Sequence, residues 1–279
     1  MMKFTKMHGA GNDYIYIEDL KGEIKKPSQL AVEMSNRNFG IGSDGLILIM
    51  KSEKGDFRMR MFNSDGSESE MCGNGIRCFA KYVYDHGLTD KDEIDIETGG
   101  GMKHLKLKVK KGLVDAVQVD MGEPVLQRER IPMLGEPGMV INEDLHLPDG
   151  VTFTITSVSM GNPHVIVFVE DVKNFPVLKY GPIIENFDLF PNRTNVEFVQ
   201  ILSGNEVIQR TWERGAGETM ACGTGASAVT VAGVLTKQTE RKITVHLSGG
   251  DLKTEWDESS NHVFMTGPAV EVFKGEWPG

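Results

Sequence analysis

Met71-Cys72-Gly73-Asn74-Gly75 and Ala221-Cys222-Gly223-Thr224-Gly225 are two short stretches, 150 residues apart, that share the pattern Cys-Gly-x-Gly. Each begins a run with helix-forming character, Gly73 to His86 in the first case and Gly223 to Leu235 in the second. The first run stops at Gly87, a common residue just after a helix. The second run is small and apolar on all sides, which indicates a buried helix. The sequence therefore predicts a cysteine at the start of each of two helices.

The spacing of 150 residues extends beyond the cysteines. Further matches without a gap are Gly11-Asn12 with Gly161-Asn162, Glu68 with Glu218, and Gly99-Gly100 with Gly249-Gly250. Near the ends of the halves the offset becomes 144, where Val119-x-Met121-x-x-Pro124 matches Val263-x-Met265-x-x-Pro268. We interpret the chain as a duplicated domain. The first copy is expected at residues 1–122 with the C-terminal tail 268–279, and the second at 123–267.

Most of the remaining pattern predicts β-strands. Apolar runs and residues that alternate with period two indicate strands in the segments 14–17, 57–61, 105–109, 151–158, 165–169, 196–201 and 207–212. A third helix is expected over Gln29 to Arg37, with Ser28 as its N-cap. We therefore predict an α/β (α+β) fold of two pseudo-symmetric domains. Each is expected to be a barrel-like sheet around a central helix, with the active site in the cleft between them.

Composition excludes several classes of protein. The chain has 279 residues and a formal net charge of −10, without a Lys/Arg cluster, so no nucleic-acid partner is expected. No apolar stretch approaches the ~20 residues that span a membrane, and the N-terminus does not resemble a signal peptide. Three cysteines without an export signal are typical of the reducing cytoplasm. Because Cys72 and Cys78 lack the spacing of a zinc site, no metal is expected.

Two thiols at helix starts suggest acid–base chemistry at a carbon atom. A free thiol has a pKa of about 8.5, and a helix N-terminus favours the thiolate. The glycines expose backbone N–H groups that suit a carboxylate. If the thiols flank one carbon that bears a carboxylate, one can remove its proton and the other can return a proton on the opposite face, without any cofactor. Cys78 has no such glycine context, so we interpret it as a buried core residue.

Six segments, in order along nearly the whole chain, resemble the diaminopimelate epimerase family. They are Gly9-Ala10-Gly11-Asn12-Asp13-Tyr14, Phe62-Asn63-Ser64-Asp65-Gly66-Ser67, Met71-Cys72-Gly73-Asn74-Gly75-Ile76-Arg77-Cys78, Gly161-Asn162-Pro163-His164, Arg193-Thr194-Asn195-Val196-Glu197 and Trp212-Glu213-Arg214-Gly215-Ala216-Gly217-Glu218-Thr219, the last followed by the second Cys-Gly-x-Gly stretch. The resemblance implies cofactor-independent interconversion of LL- and meso-diaminopimelate, a step in lysine and peptidoglycan precursor biosynthesis. It also implies two similar α/β domains and a homodimer.

The resemblance also implies roles for individual residues. Cys72 is the expected proton donor and Cys222 the acceptor, with His164 and Glu213 as an auxiliary polar pair. The expected cradle for the α-carboxylate is Gly73, Asn74, Gly223 and Thr224. The remaining substrate groups are expected to contact Asn12, Asn63, Asn162, Asn195, Glu213 and Arg214, of which Arg214 suits a distal carboxylate. The chain departs from many relatives at Gly45, where they carry a substrate-contacting glutamine, so Gly45 is left out of the site.

Other interpretations of the residues stay open. A proline or hydroxyproline racemase uses a similar cysteine pair, although its first motif usually reads Cys-Gly-His where this chain has Cys72-Gly73-Asn74. A dithiol redox protein or a binding module would also place two thiols close together. The asparagines are compatible with simple turn positions, and His164 with a hydrogen-bonded residue at a strand edge.

Overall fold

The polypeptide folds into two units that share one order of strands and helices. The computed structural model describes residues 1–278. The first unit comprises Met1–Asp120 and the segment from Thr266 onward, and the second comprises Met121–Met265. None of the helices in residues 1–278 has the length and apolar character needed to cross a membrane.

The first unit is a mixed sheet with two helices. Its elements before the second unit are β1 (Met2–Gly9), β2 (Asn12–Glu18), α1 (Pro27–Ser35), β3 (Gly45–Met50), β4 (Phe57–Asn63), β5 (Glu68–Ser69), α2 (Gly73–Asp85), β6 (Glu93–Thr98), β7 (Gly101–Lys110) and β8 (Leu113–Asp120). β2 runs antiparallel to β1 and parallel to β3, which is antiparallel to β4. β4 continues the sheet through a parallel pairing with β6, followed by antiparallel β7 and β8. α2 packs against β1, β2 and β8 and buries most of its length.

The second unit repeats this order after one additional strand. Its elements are β9 (Glu143–His146), β10 (Thr152–Ser159), β11 (Pro163–Phe168), α3 (Val177–Glu185), β12 (Asn195–Ser203), β13 (Glu206–Glu213), β14 (Gly217–Thr219), α4 (Gly223–Leu235), β15 (Lys242–Leu247), β16 (Gly250–Trp256) and β17 (Val263–Gly267). β11 is antiparallel to β10 and parallel to β12, and β13 pairs antiparallel with β12 and parallel with β15. The last strand of the chain, β18 (Val270–Trp277), pairs with β1 in the first unit.

The duplication is preserved in the positions of the helices. α2 and α4 each have 13 residues and begin 150 residues apart, at Gly73 and Gly223. α1 and α3 likewise begin 150 residues apart, at Pro27 and Val177. A bidentate ion pair is repeated at the same offset, Arg60 with Glu68 and Arg210 with Glu218. The predicted fold class of two duplicated, strand-rich α/β domains is confirmed.

Two helix predictions fared differently. The buried helix after Cys222 is confirmed. The small Gly, Ala, Thr and Val residues of α4 let β10, β11, β12 and β16 pack closely around it. The expected cap at Ser28 is wrong: α1 starts at Pro27 and ends at Ser35, and its N-cap residue Lys26 makes no side-chain capping bond. Proline at the first helical position supplies a fixed φ and needs no partner for an N–H, so the start moves ahead of the serine.

Candidate active site

The two cysteines of the repeated motif occupy the same structural position. Cys72 is the N-cap of α2 with φ −133° and ψ 123°, and Cys222 is the N-cap of α4 with φ −120° and ψ 113°. Each sulfur accepts a hydrogen bond from the backbone N–H three residues on, at 3.4 Å from Gly75 and at 3.4 Å from Gly225. In this extended conformation the thiol lies at the positive end of its helix, beside backbone N–H groups that suit an anion.

The first thiol cluster comprises Cys72, Asn12, Tyr14 and Asn74. Cys72 Sγ lies 3.2 Å from Asn12 Oδ1, and Asn74 Nδ2 lies 3.5 Å from the same oxygen. The Asn12 amide is oriented by Asp44, whose Oδ2 accepts from Asn12 Nδ2 at 2.6 Å. Tyr14 is buried. Burial is the larger cause and the neighbouring Cys72 the smaller cause of a pKa of its hydroxyl well above the usual value, so the phenol stays neutral. Two of the asparagines predicted from the sequence, Asn12 and Asn74, therefore lie at the first thiol.

Arg77 supports the first thiol cluster from inside the protein. Its side chain is fully buried, although it carries a charge. Nη1 donates to the carbonyl of Gly73 at 3.0 Å, and Nη2 donates to Asn74 Oδ1 at 2.9 Å. The guanidinium thus fixes the Asn74 amide at the first turn of α2. The equivalent residue in the second unit, Ser227, bonds the carbonyl of Gly223 at 3.0 Å.

The second thiol cluster comprises Cys222, Asn162, His164, Glu197 and Thr224. His164 is fully buried; its Nδ1 lies 2.7 Å from Glu197 Oε1 and its Nε2 lies 3.0 Å from Asn162 Oδ1. Asn162 Nδ2 donates to Thr224 Oγ1 at 3.3 Å, and that hydroxyl lies 3.4 Å from Cys222 Sγ. One nitrogen of His164, one oxygen of Glu197 and Cys222 Sγ all lie within 4.8 Å of one another.

Glu197 is a buried carboxylate outside the set of site residues predicted from the sequence. It accepts hydrogen bonds from His164, from Gln209 Nε2 at 2.8 Å and from Thr211 Oγ1 at 2.6 Å. Gly225 is needed beside it, because a Cβ atom there would lie 2.5 Å from Glu197 Oε1. His164 therefore has Glu197 as its carboxylate partner. Glu213, the other member of the auxiliary polar pair that the resemblance implies, accepts from Thr219 Oγ1 at 2.5 Å.

The environment of Cys222 differs from the expectation based on the helix N-terminus alone. Burial raises the pKa of Cys222 well above its usual value, and the carboxylates of Glu213 and Glu197 raise it further. Hydrogen bonds from Thr224 and Gly225 act in the opposite direction. Desolvation and two nearby negative charges therefore outweigh the helix N-terminus.

The other predicted site residues are placed as follows. Asn195 is buried; its Nδ2 donates to the carbonyl of Pro163 at 2.8 Å and its Oδ1 accepts from the backbone N–H of Arg214 at 2.9 Å. The guanidinium of Arg214 is exposed and bonds the carbonyl of Asn192 at 2.9 Å. Asn63 Nδ2 donates to Ser67 Oγ at 3.0 Å. Asn195 thus holds the loop that carries Arg214.

Comparison with known proteins places these residues in a family. The family model described as diaminopimelate epimerase matches residues 4–127 and 156–272. The chain belongs to the diaminopimelate epimerase family. The diaminopimelate epimerase of Acetivibrio thermocellus is 56% identical over 275 residues, covering 99% of this chain and 98% of that protein. The diaminopimelate epimerase of Methanococcus maripaludis is 55% identical over 275 residues, covering 99% of both.

Solved structures with the same fold extend beyond the diaminopimelate epimerase family. A PhzF-family phenazine biosynthesis protein from Bacillus anthracis matches with a TM-score of 0.72 at 17% identity over 98% of both chains. A hydroxyproline epimerase from Agrobacterium vitis matches with a TM-score of 0.68 at 13% identity, covering 98% of this chain and 90% of that chain. At these identities the likeness concerns the fold alone.

Within the diaminopimelate epimerase pattern, Gly45 has a clear steric meaning. At Gly45 a Cβ atom would lie 2.1 Å from the carbonyl oxygen of Phe62, so the backbone excludes any side chain there. In the second thiol cluster, the oxygens of Glu197 and both nitrogens of His164 already take part in hydrogen bonds. A metal ion would have to break these bonds, so the group is a hydrogen-bonded network and not an open ligand set.

Proposed function

We propose that this protein interconverts LL- and meso-diaminopimelate, with Cys72 and Cys222 as the two acid–base groups. The observation that carries the proposal is the identical placement of the two thiols at the N-caps of two equivalent helices. Membership of the diaminopimelate epimerase family supports diaminopimelate as the substrate.

The chemistry follows from what each helix start offers. The α-carboxylate of the substrate binds to backbone N–H groups at Gly73, Asn74, Gly223 and Thr224, where the helix N-termini favour negative charge. One sulfur, as thiolate, removes the α-proton. The other sulfur, as thiol, delivers a proton to the opposite face, and the stereocentre inverts. The negative charge that develops on the substrate is stabilised by the same N–H groups, in a site from which water is excluded.

Recognition of the rest of the substrate requires a second anionic site. The exposed guanidinium of Arg214 can bind the distal carboxylate through two parallel N–H bonds. Asn12, Asn63 and Asn162 offer amide groups for the remaining carboxylate and amino groups, and Asn195 positions the Arg214 loop. Proline has no distal carboxylate, so this arrangement favours diaminopimelate over proline.

The test is a chiral chromatography assay with LL-diaminopimelate and, separately, L-proline as substrate. We expect meso-diaminopimelate to form and L-proline to stay unchanged. Cys72→Ala and Cys222→Ala are each expected to abolish epimerisation, because each removes one of two required groups. Racemisation of proline without epimerisation of diaminopimelate, or full activity of either cysteine variant, would overturn the proposal.

Three further features belong to the proposal. The two domains predicted from the repeat, residues 1–122 with 268–279 and residues 123–267, would each carry one of the two thiols. Three cysteines support action in the reducing cytoplasm. Acid–base chemistry at two thiols needs no cofactor. Exposed apolar side chains on β18, namely Val270, Val272 and Phe273, support a homodimer. Sedimentation equilibrium should then give twice the mass of 30.8 kDa, and a monomer at micromolar concentration would contradict the dimer.

A further inference from the structure

Glu185, the last residue of α3, carries a carboxylate that the second unit encloses almost completely. Its side chain is 7% exposed. Oε1 accepts from the backbone N–H of Gly215 at 2.8 Å and from Arg193 Nη1 at 3.1 Å. Oε2 accepts from Trp212 Nε1 at 2.7 Å. Because a backbone amide, a guanidinium and an indole can only donate, the direction of all three bonds is fixed.

Two of these donors belong to the two loops that meet at Arg214. Arg193 lies in the loop between α3 and β12, and Gly215 follows Arg214 in the turn between β13 and β14. Arg214 contacts the first loop through Nη1, which donates to the carbonyl of Asn192 at 2.9 Å. Its backbone N–H donates to Asn195 Oδ1 at 2.9 Å. Glu185 therefore joins the two loops on which the position of the Arg214 guanidinium depends.

The first unit keeps the contact but not the carboxylate. At the offset of 150 residues, Ser35 corresponds to Glu185 and Ser43 corresponds to Arg193. Ser43 Oγ donates to Ser35 Oγ at 2.9 Å, so a pair of hydroxyls replaces the ion pair. The first unit also has Ser64 where the second has the arginine expected to bind the distal carboxylate. The carboxylate that reaches across to the turn thus occurs in the copy that carries the arginine.

We infer that Glu185 is a positioning residue for recognition of the distal carboxylate of diaminopimelate, because it fixes the turn that presents Arg214. The inference rests on the proposed function, in which Arg214 binds that carboxylate. A guanidinium forms two parallel N–H bonds to a carboxylate only when its plane has the right orientation. The Arg214 side chain is exposed, so its orientation depends on the loops beneath it. Glu185 holds both loops from the interior.

The expected signature is a change in KM and not in kcat. The distal carboxylate is remote from the carbon atom that loses its proton, so its recognition stabilises the bound substrate and the transition state alike. Loss of such binding raises KM and leaves kcat unchanged. A purely structural role of Glu185 would instead lower the amount of folded protein, which reduces the apparent kcat without a change in KM.

Steady-state kinetics with LL-diaminopimelate test this signature. Glu185→Met keeps the length of the side chain and removes both acceptor oxygens. It should raise KM about tenfold, as for the loss of one hydrogen bond to a charged group. Glu185→Gln should raise KM by less, about threefold, because its amide oxygen can still accept from Gly215 while its NH2 group faces the Trp212 N–H. The matched variant in the first unit, Ser35→Ala, should leave KM and kcat unchanged.

A second arginine variant tests whether the effect passes through Arg214. Lysine keeps the charge but cannot form two parallel bonds to a carboxylate. Glu185→Met should therefore raise KM less in an Arg214→Lys background than in the wild type. An equal effect in both backgrounds would show that Glu185 acts by another route and would overturn the inference.

Hydrogen exchange of backbone amides, measured by mass spectrometry without substrate, tests the fixed turn itself. Segment 213–217 should exchange faster in Glu185→Met than in the wild type, and the equivalent segment 63–67 should exchange at the wild-type rate. An unchanged rate in segment 213–217 overturns the inference.

The kinetic outcomes separate this inference from the proposed function. An active wild type with an unchanged KM in Glu185→Met overturns the role of Glu185 alone. If Glu185→Met fails to fold by circular dichroism, an unchanged KM in Glu185→Gln does so. A wild type that does not epimerise LL-diaminopimelate refutes the proposed function itself.

Discussion

A matched pair of glycine substitutions measures how rigidly the second thiol cluster is built. Gly75 and Gly225 are the third residues of α2 and α4 and occupy equivalent positions. A Cβ atom at Gly75 would lie 2.8 Å from Ile47 Cδ1, and one at Gly225 would lie 2.5 Å from Glu197 Oε1. Gly75→Ala therefore meets a methyl group at the end of a side chain, whereas Gly225→Ala meets a buried carboxylate.

The expected energies differ because the two neighbours differ in freedom. Alanine in place of glycine inside a helix stabilises it by about 1 kcal/mol. Ile47 can rotate its terminal methyl, so Gly75→Ala should stay close to neutral. Glu197 is held by His164, Gln209 and Thr211, so its displacement breaks at least one buried hydrogen bond at about 1–3 kcal/mol, in addition to the crowding. Gly225→Ala should therefore lower the free energy of unfolding by about 2 kcal/mol relative to Gly75→Ala.

Equilibrium urea denaturation followed by far-UV circular dichroism compares the two variants with the wild type. The variant at Gly225 should also lose more epimerase activity, because it displaces the partner of His164. Equal stability of the two variants, or a stabilised Gly225→Ala protein, would refute the idea that Glu197 is locked in place.

Three other predictions concern single features. Cys78→Ala should keep nearly full activity, because burial raises the pKa of Cys78 to about 11 and makes it inert as a base; a large loss of activity would contradict this. Arg60 holds the pKa of Glu68 below its usual value, so this pair stabilises the fold above the unfolded pKa of about 4 and loses that effect as pH falls through the lower folded pKa. The free energy of unfolding should therefore fall less steeply with decreasing pH for Glu68→Gln than for wild type. Parallel curves would contradict a stabilising role of the Arg60–Glu68 pair. Mild oxidation should inactivate the protein reversibly through a Cys72–Cys222 disulfide, visible by peptide mapping, and inactivation without that linkage would contradict it.

The duplicated fold could be predicted because glycines and cysteines mark the same turns and helix starts in both copies. The offset of 150 residues located α2 and α4, whose starts depend on the local Cys-Gly-x-Gly chemistry. α3 was not predicted, since Pro182 lies inside it and its apolar character resembles that of a strand. The start of α1 was displaced because proline at position 27 competes with the serine that follows it.

The thiols, His164 and the asparagines beside them could be named from sequence, but their supports could not. Glu197 and Arg77 are charged residues at positions that the fold encloses completely. Their neighbours along the chain are apolar, and both residues lie in segments that resemble the family; these two signals were available, but neither shows what the side chains contact. Which carboxylate pairs with His164 depends on the register of β11 with β12, where His164 lies opposite Asn195. That register is set by contacts between strands and cannot be derived from the order of residues alone.

Isotope incorporation in the first turnovers tests the two-thiol account most directly. Wild-type protein is incubated with LL-diaminopimelate in D2O, and α-carbon deuterium is measured separately in the remaining substrate and in the product. Because the thiol that delivers the proton exchanges with solvent before the reaction, we expect deuterium in meso-diaminopimelate while the substrate stays unlabelled. Equal early labelling of substrate and product would show that a single base serves both faces and would contradict the account.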